Sequence, residues 1–405
     1  MYDRGAATEP EAVTAWARSG AILLTGWPGG EPLGPPAGLV GLIAAAGADI
    51  AARSAALGSR VELDWLALLG ERAALAGLER AGRQSCGGGT RLLPAADGWV
   101  AVSLTRQDDV DLIPAWLGLG DVPADPWSSV AGALERAAAD ETVARAAWLG
   151  LPVGVLGERE PDPAGPVAVT EVGSGRPVGT LDGLVVVDLS ALWAGPLCAS
   201  ILGLAGARVV KVESVARPDG GRQAAEGFFD LLNAGKSSVA VDLTTTAGRT
   251  ALARLIEGAD VVVESARPRA LEQLGIVAVE ELAADRGPRV WVSITGHGRS
   301  SERVGFGDDA AVAGGLVVED GSGPCFCADA VADPVTGLVA TAAALDALTS
   351  GSRCLLDVAL AGVSADGAGP TLAVGGVSAA APRARAPVGT ARPFGADTAA
   401  VLASL

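Results

Sequence analysis

The chain has 405 residues and a formal net charge of −17, from 47 Asp and Glu against 30 Lys and Arg. That balance argues against nucleic acid as a partner, because phosphate backbones call for a clustered basic surface. Hydrophobic residues make up 49% but aromatics only 4%, so Ala, Val and Leu must build the core, and the length predicts two or three domains.

Residues 11–25 and 37–57 read as Ala-rich helices. Residues 91–104 predict a hairpin that turns at Asp97-Gly98, with an alternating strand after it. A helix follows over 140–149. Residues 156–180 carry Pro and Gly at turn density and read as a linker. Beyond it, β-branched runs at 184–189, 208–212, 239–243, 260–263 and 290–294 alternate with helical stretches at 199–206, 247–257 and 269–275. Such alternation implies βαβ units and a parallel sheet, with ligands bound beyond the carboxyl ends of the strands. The expected fold is α/β, with a parallel-sheet Rossmann-like domain and a smaller α+β domain. The expected boundaries are a helical segment at 1–72, the small domain at 73–155, the linker at 156–180 and the sheet domain at 181–405.

No run of about 18 uninterrupted apolar residues predicts a membrane-spanning helix, so no membrane partner is expected. Met1-Tyr-Asp-Arg-Gly5 lacks the layout of a signal peptide. Of the five cysteines only Cys325 and Cys327 are close, and with a single histidine they make a poor zinc site. The expectation is a reduced, cytoplasmic protein without a metal. The only lysines are Lys211 and Lys236, both in one short region. A segment also repeats: Gly58-Ser-Arg-Val-Glu-Leu-Asp64 matches Gly351-Ser-Arg-Cys-Leu-Leu-Asp357, and each is preceded by Gly-Leu-Val, at Gly38 and Gly337.

Leu184-Val-Val-Val-Asp-Leu-Ser-Ala-Leu-Trp-Ala-Gly-Pro196 resembles the opening strand and loop of the family III CoA-transferases. So do Gly206-Ala-Arg-Val-Val-Lys-Val-Glu213, Leu232-Asn-Ala-Gly-Lys-Ser-Ser238, Asp260-Val-Val-Val-Glu-Ser-Ala-Arg-Pro268 and Ser293-Ile-Thr-Gly-His-Gly298, in order and at familiar spacing. Outside residues 180–320 the resemblance continues in rearranged order. The chain therefore reads as a fusion of two family units, each lacking parts that the other supplies.

The resemblance implies an enzyme that moves CoA between carboxylic acids through an aspartyl-CoA thioester, with acyl-CoA and a carboxylic acid as partners and no nucleic acid or membrane. A racemase-like isomerase acting on α-methylacyl-CoA and a non-catalytic CoA-binding subunit are the alternatives. The family's nucleophile is placed before a helix that runs into Gly-Leu. Counting back from Leu316, the strict position falls on Gly307, and Asp308 takes it with a one-residue gap. The plainer reading is that Asp308 and Asp309 cap the following helix. Trp193, Ala194, Asn233, Lys236, Ser265, Ala266, Arg267 and His297 are the implied CoA contacts at the strand ends, with Lys236 offering a positive charge to a phosphate. His297 is either a base or a space-filling ring. The implied assembly is a homodimer.

Overall fold

The structure is a computed structural model that describes residues 8–405; the opening residues read against a signal peptide lie outside these. Helix α1 (Glu9–Ser19) starts where the Glu11 carboxylate accepts from the Thr8 amide at 2.9 Å. Helix α2 (Leu39–Ala56) follows. Strands β1 (Thr90–Ala95) and β2 (Gly98–Ser103) form the expected hairpin, but Ala95 pairs with Gly98. The turn is therefore Ala96-Asp97, one residue earlier than expected. The physical reason lies outside the hairpin: the Asp97 carboxylate accepts from the Ala139 amide at 2.8 Å and caps α3 (Ala139–Leu149). Strand β3 (Val153–Val155) joins β2, and Val100, Val102, Ile113, Trp116, Leu134 and Val143 fill the core of this small α+β unit.

Residues 156–180 do not merely link. Their middle forms strand β4 (Val167–Ser174), which pairs antiparallel with the last strand of the main sheet. Pro and Gly crowd either side of it, yet Val167, Val169, Thr170 and Val172 suit an edge strand. The main sheet continues through β5 (Val185–Asp188), helix α4 (Ala194–Leu204), β6 (Arg208–Ser214), β7 (Ser237–Val241), helix α5 (Thr246–Glu257), β8 (Val261–Glu264) and β9 (Val290–Thr295). Helix α6 (Gly307–Ala313), a small hairpin of β10 (Val317–Glu319) with β11 (Pro324–Phe326), helix α7 (Ala332–Ser350), β12 (Ser352–Ala359) and helix α8 (Leu360–Gly367) complete it.

The strand order is β4-β12-β9-β8-β5-β6-β7, parallel except for β4. The chain thus starts in the centre at β5, winds outward through β6 and β7, then returns to add β8, β9 and β12 on the other side. The switch lies between β5 and β8, and in such sheets ligands bind there, beyond the carboxyl ends. This is the α/β architecture expected from sequence.

One face of the sheet carries α4 and α7 in the largest core cluster, which also takes in α1 and α2. By length and composition α2 could cross a membrane, but here it packs on α7. The two copies of the repeat diverge. Residues 352–357 enter β12, whereas 58–64 form no strand. The segment after α8 runs back over the first residues, with the Ala380 amide donating to the Ala17 carbonyl and Arg385 pairing with Glu71 at 2.5 Å.

Candidate functional site

Strand β5 delivers Asp188, fully buried, to the carboxyl end of the sheet. Lys236 Nζ donates to Asp188 Oδ2 at 2.8 Å, to the Pro196 carbonyl at 2.9 Å and to Asn233 Oδ1 at 3.0 Å. All three protons are used and the side chain is buried. Lys236 therefore offers nothing to a phosphate, which corrects the expectation for it. Asn233, which also donates to the Phe229 carbonyl, is committed in the same way. Burial pushes Lys236 down to about 8, with Asp188 opposing. Burial also disfavours the Asp188 anion, but Lys211 and Lys236 outweigh it and hold the carboxyl below its usual range.

Lys211 donates to the Ser190 carbonyl at 2.7 Å and pairs with Asp219 at 2.8 Å. Asp219 in turn accepts from the Leu192 amide at 2.9 Å. Leu192 has φ 69°, a left-handed conformation costly for a branched side chain, and this buried charge network holds it there. The two lysines thus shape the loop that leads to Trp193.

Trp193 and Ala194 are themselves buried at the start of α4. The Trp193 ring meets Phe228 edge-on at 5.0 Å and lies 5.4 Å from the Arg72 guanidinium carbon. Across the switch, Ser265 Oγ accepts from the Ala191 amide at 3.0 Å and ties the two loops together. Ser265 and Ala266 are half-buried, and Arg267 is exposed. A Cβ on Gly150 would sit 3.4 Å from Arg267 Nη2, so this guanidinium lies over the end of α3. Of the expected contacts, Arg267 alone is exposed.

Behind these loops the carboxylates of Asp308, Asp329 and Asp333 gather around Arg72, with Asp309 beside Asp308. Arg72 grips Asp329 with Nε at 2.9 Å and Nη2 at 2.5 Å. Asp329 is flanked by Ala328 at φ 53° and Ala330 at φ 43°. The amide of Ala328 is captured by Thr25 Oγ1 at 2.9 Å and that of Ala330 by Asp308 Oδ1 at 3.1 Å. Asp308, the expected nucleophile, thus spends an oxygen on the backbone. Burial and Asp329 push it up to about 6, with Arg72 opposing.

Asp309 takes the capping part of the plainer reading. Its Oδ1 accepts from the Phe306 amide at 3.0 Å and from Ser103 Oγ at 2.7 Å, so the small domain is pinned to α6. Burial is the main force that pushes Asp309 up to about 7.

Asp333 differs from all three. It stands in the first turn of the 19-residue α7, is partly exposed, and no hydrogen bond to its carboxylate is present among the described residues. Burial pushes it up to about 7, with Arg72 opposing and the other three aspartates adding. A Cβ on Gly307 would lie 2.4 Å from Asp333 Oδ2, so only glycine admits that carboxylate.

His297 Nε2 and Asp309 Oδ2 are both buried and have no hydrogen-bond partner among the described residues. Each lies 3.3 Å from the point where a Gly305 Cβ would stand. Burial, then Arg303 and Arg159, push His297 down to about 3, so its ring is neutral.

Arg72, Asp329 and Asp333 were not singled out from sequence. The repeat held one signal. Asp333 stands four residues before Gly337, and the matching place before Gly38 is Gly34, so one copy carries a carboxylate and the other does not.

The profile of CoA-transferase family III matches residues 181–398. An acyl-CoA transferase of Fusarium pseudograminearum is 33% identical over 197 residues, 43% of this chain and 43% of that protein. A succinyl-CoA–D-citramalate CoA-transferase of Chloroflexus aurantiacus is 33% identical over 153 residues, 35% of this chain and 38% of that protein. Among solved structures, a hypothetical protein from Mycobacterium tuberculosis aligns at 30% identity over 47% of this chain and 56% of that one, with a TM-score of 0.42. The chain spans less than half the length of these two curated relatives. The profile match takes in the whole parallel run of the sheet and all four aspartates, more than half of the chain, and the chain belongs to CoA-transferase family III.

Proposed function

We propose that this chain transfers CoA from an acyl-CoA to a carboxylic acid, with Asp333 as the attacking carboxylate. The observation that carries the reading is the Asp333 side chain: only partly exposed, beside Arg72, at a helix N-terminus and, among the described residues, without a hydrogen bond. The helix dipole and Arg72 favour its anion, while burial keeps it poorly solvated and reactive. Its oxygen attacks the thioester carbonyl, the C–S bond breaks, and CoA leaves as the thiolate. The thiolate then attacks the aspartyl carbonyl of the resulting anhydride. That step releases the first carboxylic acid and leaves CoA on the aspartate as a thioester. The second acid attacks this thioester in the same manner, and the thiolate returns to the new acyl group. Arg72 offsets negative charge in each step, and Arg267 and Ala266 stand where the nucleotide end of CoA would enter. Asp308 supports the Ala330 amide and so orients the Asp329–Asp333 loop.

Two relatives named for succinyl-CoA make that thioester a suitable probe. Incubation with succinyl-CoA and hydroxylamine, followed by peptide mass spectrometry, is expected to find the modified carboxylate at Asp333. Label at Asp308 instead would return the nucleophile to the position expected from sequence. Asp333→Ala is expected to abolish CoA exchange while CoA still binds. If that variant keeps turnover, the assignment fails; if neither it nor the wild type exchanges CoA, a binding subunit replaces the enzyme. Loss of the α-proton from a 2-methylacyl-CoA without exchange would favour the isomerase. The proposed homodimer is checked by sedimentation, where a mass near that of one chain overturns it.

A further inference from the structure

The end of the sheet opposite the carboxylates holds a second concave site. A cavity of about 800 Å³ opens beneath the amino ends of β5, β6, β9 and β12, between the last turns of α5 and α7. Its volume is that of sites that hold small ligands. Arg176, Arg208, Arg254, Arg286, Arg289 and Arg353 line it. Against them stand Glu257, Asp260 and Asp285, so the lining is net positive in a chain of net charge −17.

The pairing is incomplete. Arg289 is bound to Asp260 at 3.2 Å, Arg286 only reaches Glu257 at 3.9 Å, and Arg353 donates to the carbonyls of Ala284 and Gly287. Among the described residues no carboxylate is paired with Arg176, Arg208 or Arg254. Two helix C-termini favour a nearby cation or two, but they do not call for six arginines around one cavity. Val185, Val210 and Leu255 supply an apolar wall.

We propose that this cavity binds a compact polyanion, bearing phosphate or several carboxylates, at a site separate from the acyl-CoA crevice. Planar guanidinium forks match both kinds of oxyanion, and three of them are free to turn toward the ligand. The site lies at the opposite ends of the strands from Asp333, with the length of α7 between them, so its occupant does not compete for the strand ends where acyl-CoA is proposed to bind.

The test is calorimetry with sodium pyrophosphate and with citrate, on the full chain and on Arg208→Ala/Arg254→Ala. Both side chains are exposed, so unfolding temperatures of the two proteins should agree. One site per chain is expected, weakening as salt rises, with affinity lowered by about tenfold or more in the double variant. Tighter binding of pyrophosphate assigns the site to phosphates, and tighter binding of citrate to polycarboxylates. The proposal is overturned if neither probe binds, or if the double variant binds both as the wild type does, since the anion is then held elsewhere. It is also overturned if the substitutions change the sedimentation mass without any ligand, because the arginines would then serve contact between copies of the chain.

Discussion

Replacing Asp309 by Asn tests the electrostatics of the carboxylate cluster without disturbing its shape. Asp309 is wholly buried; its Oδ1 holds the Ser103 hydroxyl and the Phe306 amide, and its Oδ2 has no partner among the described residues. Asparagine keeps the acceptor and sets an amide where Oδ2 stands, facing the neutral His297 Nε2 across the space over Gly305. The carboxyl is moved from 3.8 to about 7. Between those values the folded chain binds more protons than the unfolded one, so stability falls as pH rises through that window. Burying this carboxyl in place of leaving it free in the unfolded chain costs the fold about 4 kcal/mol at pH 8 and about 2 kcal/mol at pH 5. The variant escapes both costs. Its advantage over the wild type should therefore widen by about 2–3 kcal/mol from pH 5 to pH 8, which for a chain of this length is about 3 °C in Tm. Thermal unfolding of both proteins at the two pH values reads this directly. An advantage that stays constant with pH, or that shrinks as pH rises, would refute the account of Asp309 as a buried group with a raised pKa.

Three further outcomes follow from the same geometry. Lys236→Met leaves the Asp188 carboxylate without its nearest cation and should cost about 3–5 kcal/mol in denaturant unfolding. Restoring neutrality with Asp188→Asn should recover part of that loss, and a Lys236→Met protein of unchanged stability would contradict the network. Gly307→Ala drives a methyl into Asp333 Oδ2 and the Ala330 carbonyl. It should lower stability by about 1–3 kcal/mol and displace the carboxylate, so that CoA exchange falls more than CoA affinity. Arg267→Ala removes an exposed side chain and should leave Tm unchanged while weakening CoA in calorimetry; equal affinity would remove Arg267 from the site.

Each half of the chain is only partly legible from sequence, and the boundary has a physical cause. Hydrophobic periodicity is local, so the strands from Val185 to Thr295 and the helices between them can be read residue by residue. Their alternation also marks the loops at Ser190–Trp193 and Glu264–Arg267 as strand ends where ligands bind, whereas the strand order and the switch point come from long-range pairing. The hairpin turn and β4 were misread because an Asp97 contact with Ala139, and an edge partner on β12, come from distant residues.

Charge roles lie furthest from the sequence. Both lysines were visible as isolated residues, yet only the folded packing shows that Lys236 faces Asp188 and not solvent. Arg72 and Asp329 are 257 residues apart, and nothing in either neighbourhood announces the other. The sequence by itself determined the parallel sheet, the small unit and the family's loops, because each depends on short-range pattern. Tertiary structure alone decided which aspartate stays free. Ala330 and Ser103 claim Asp308 and Asp309, Arg72 claims Asp329, and Asp333 keeps its carboxylate because only a glycine stands against it.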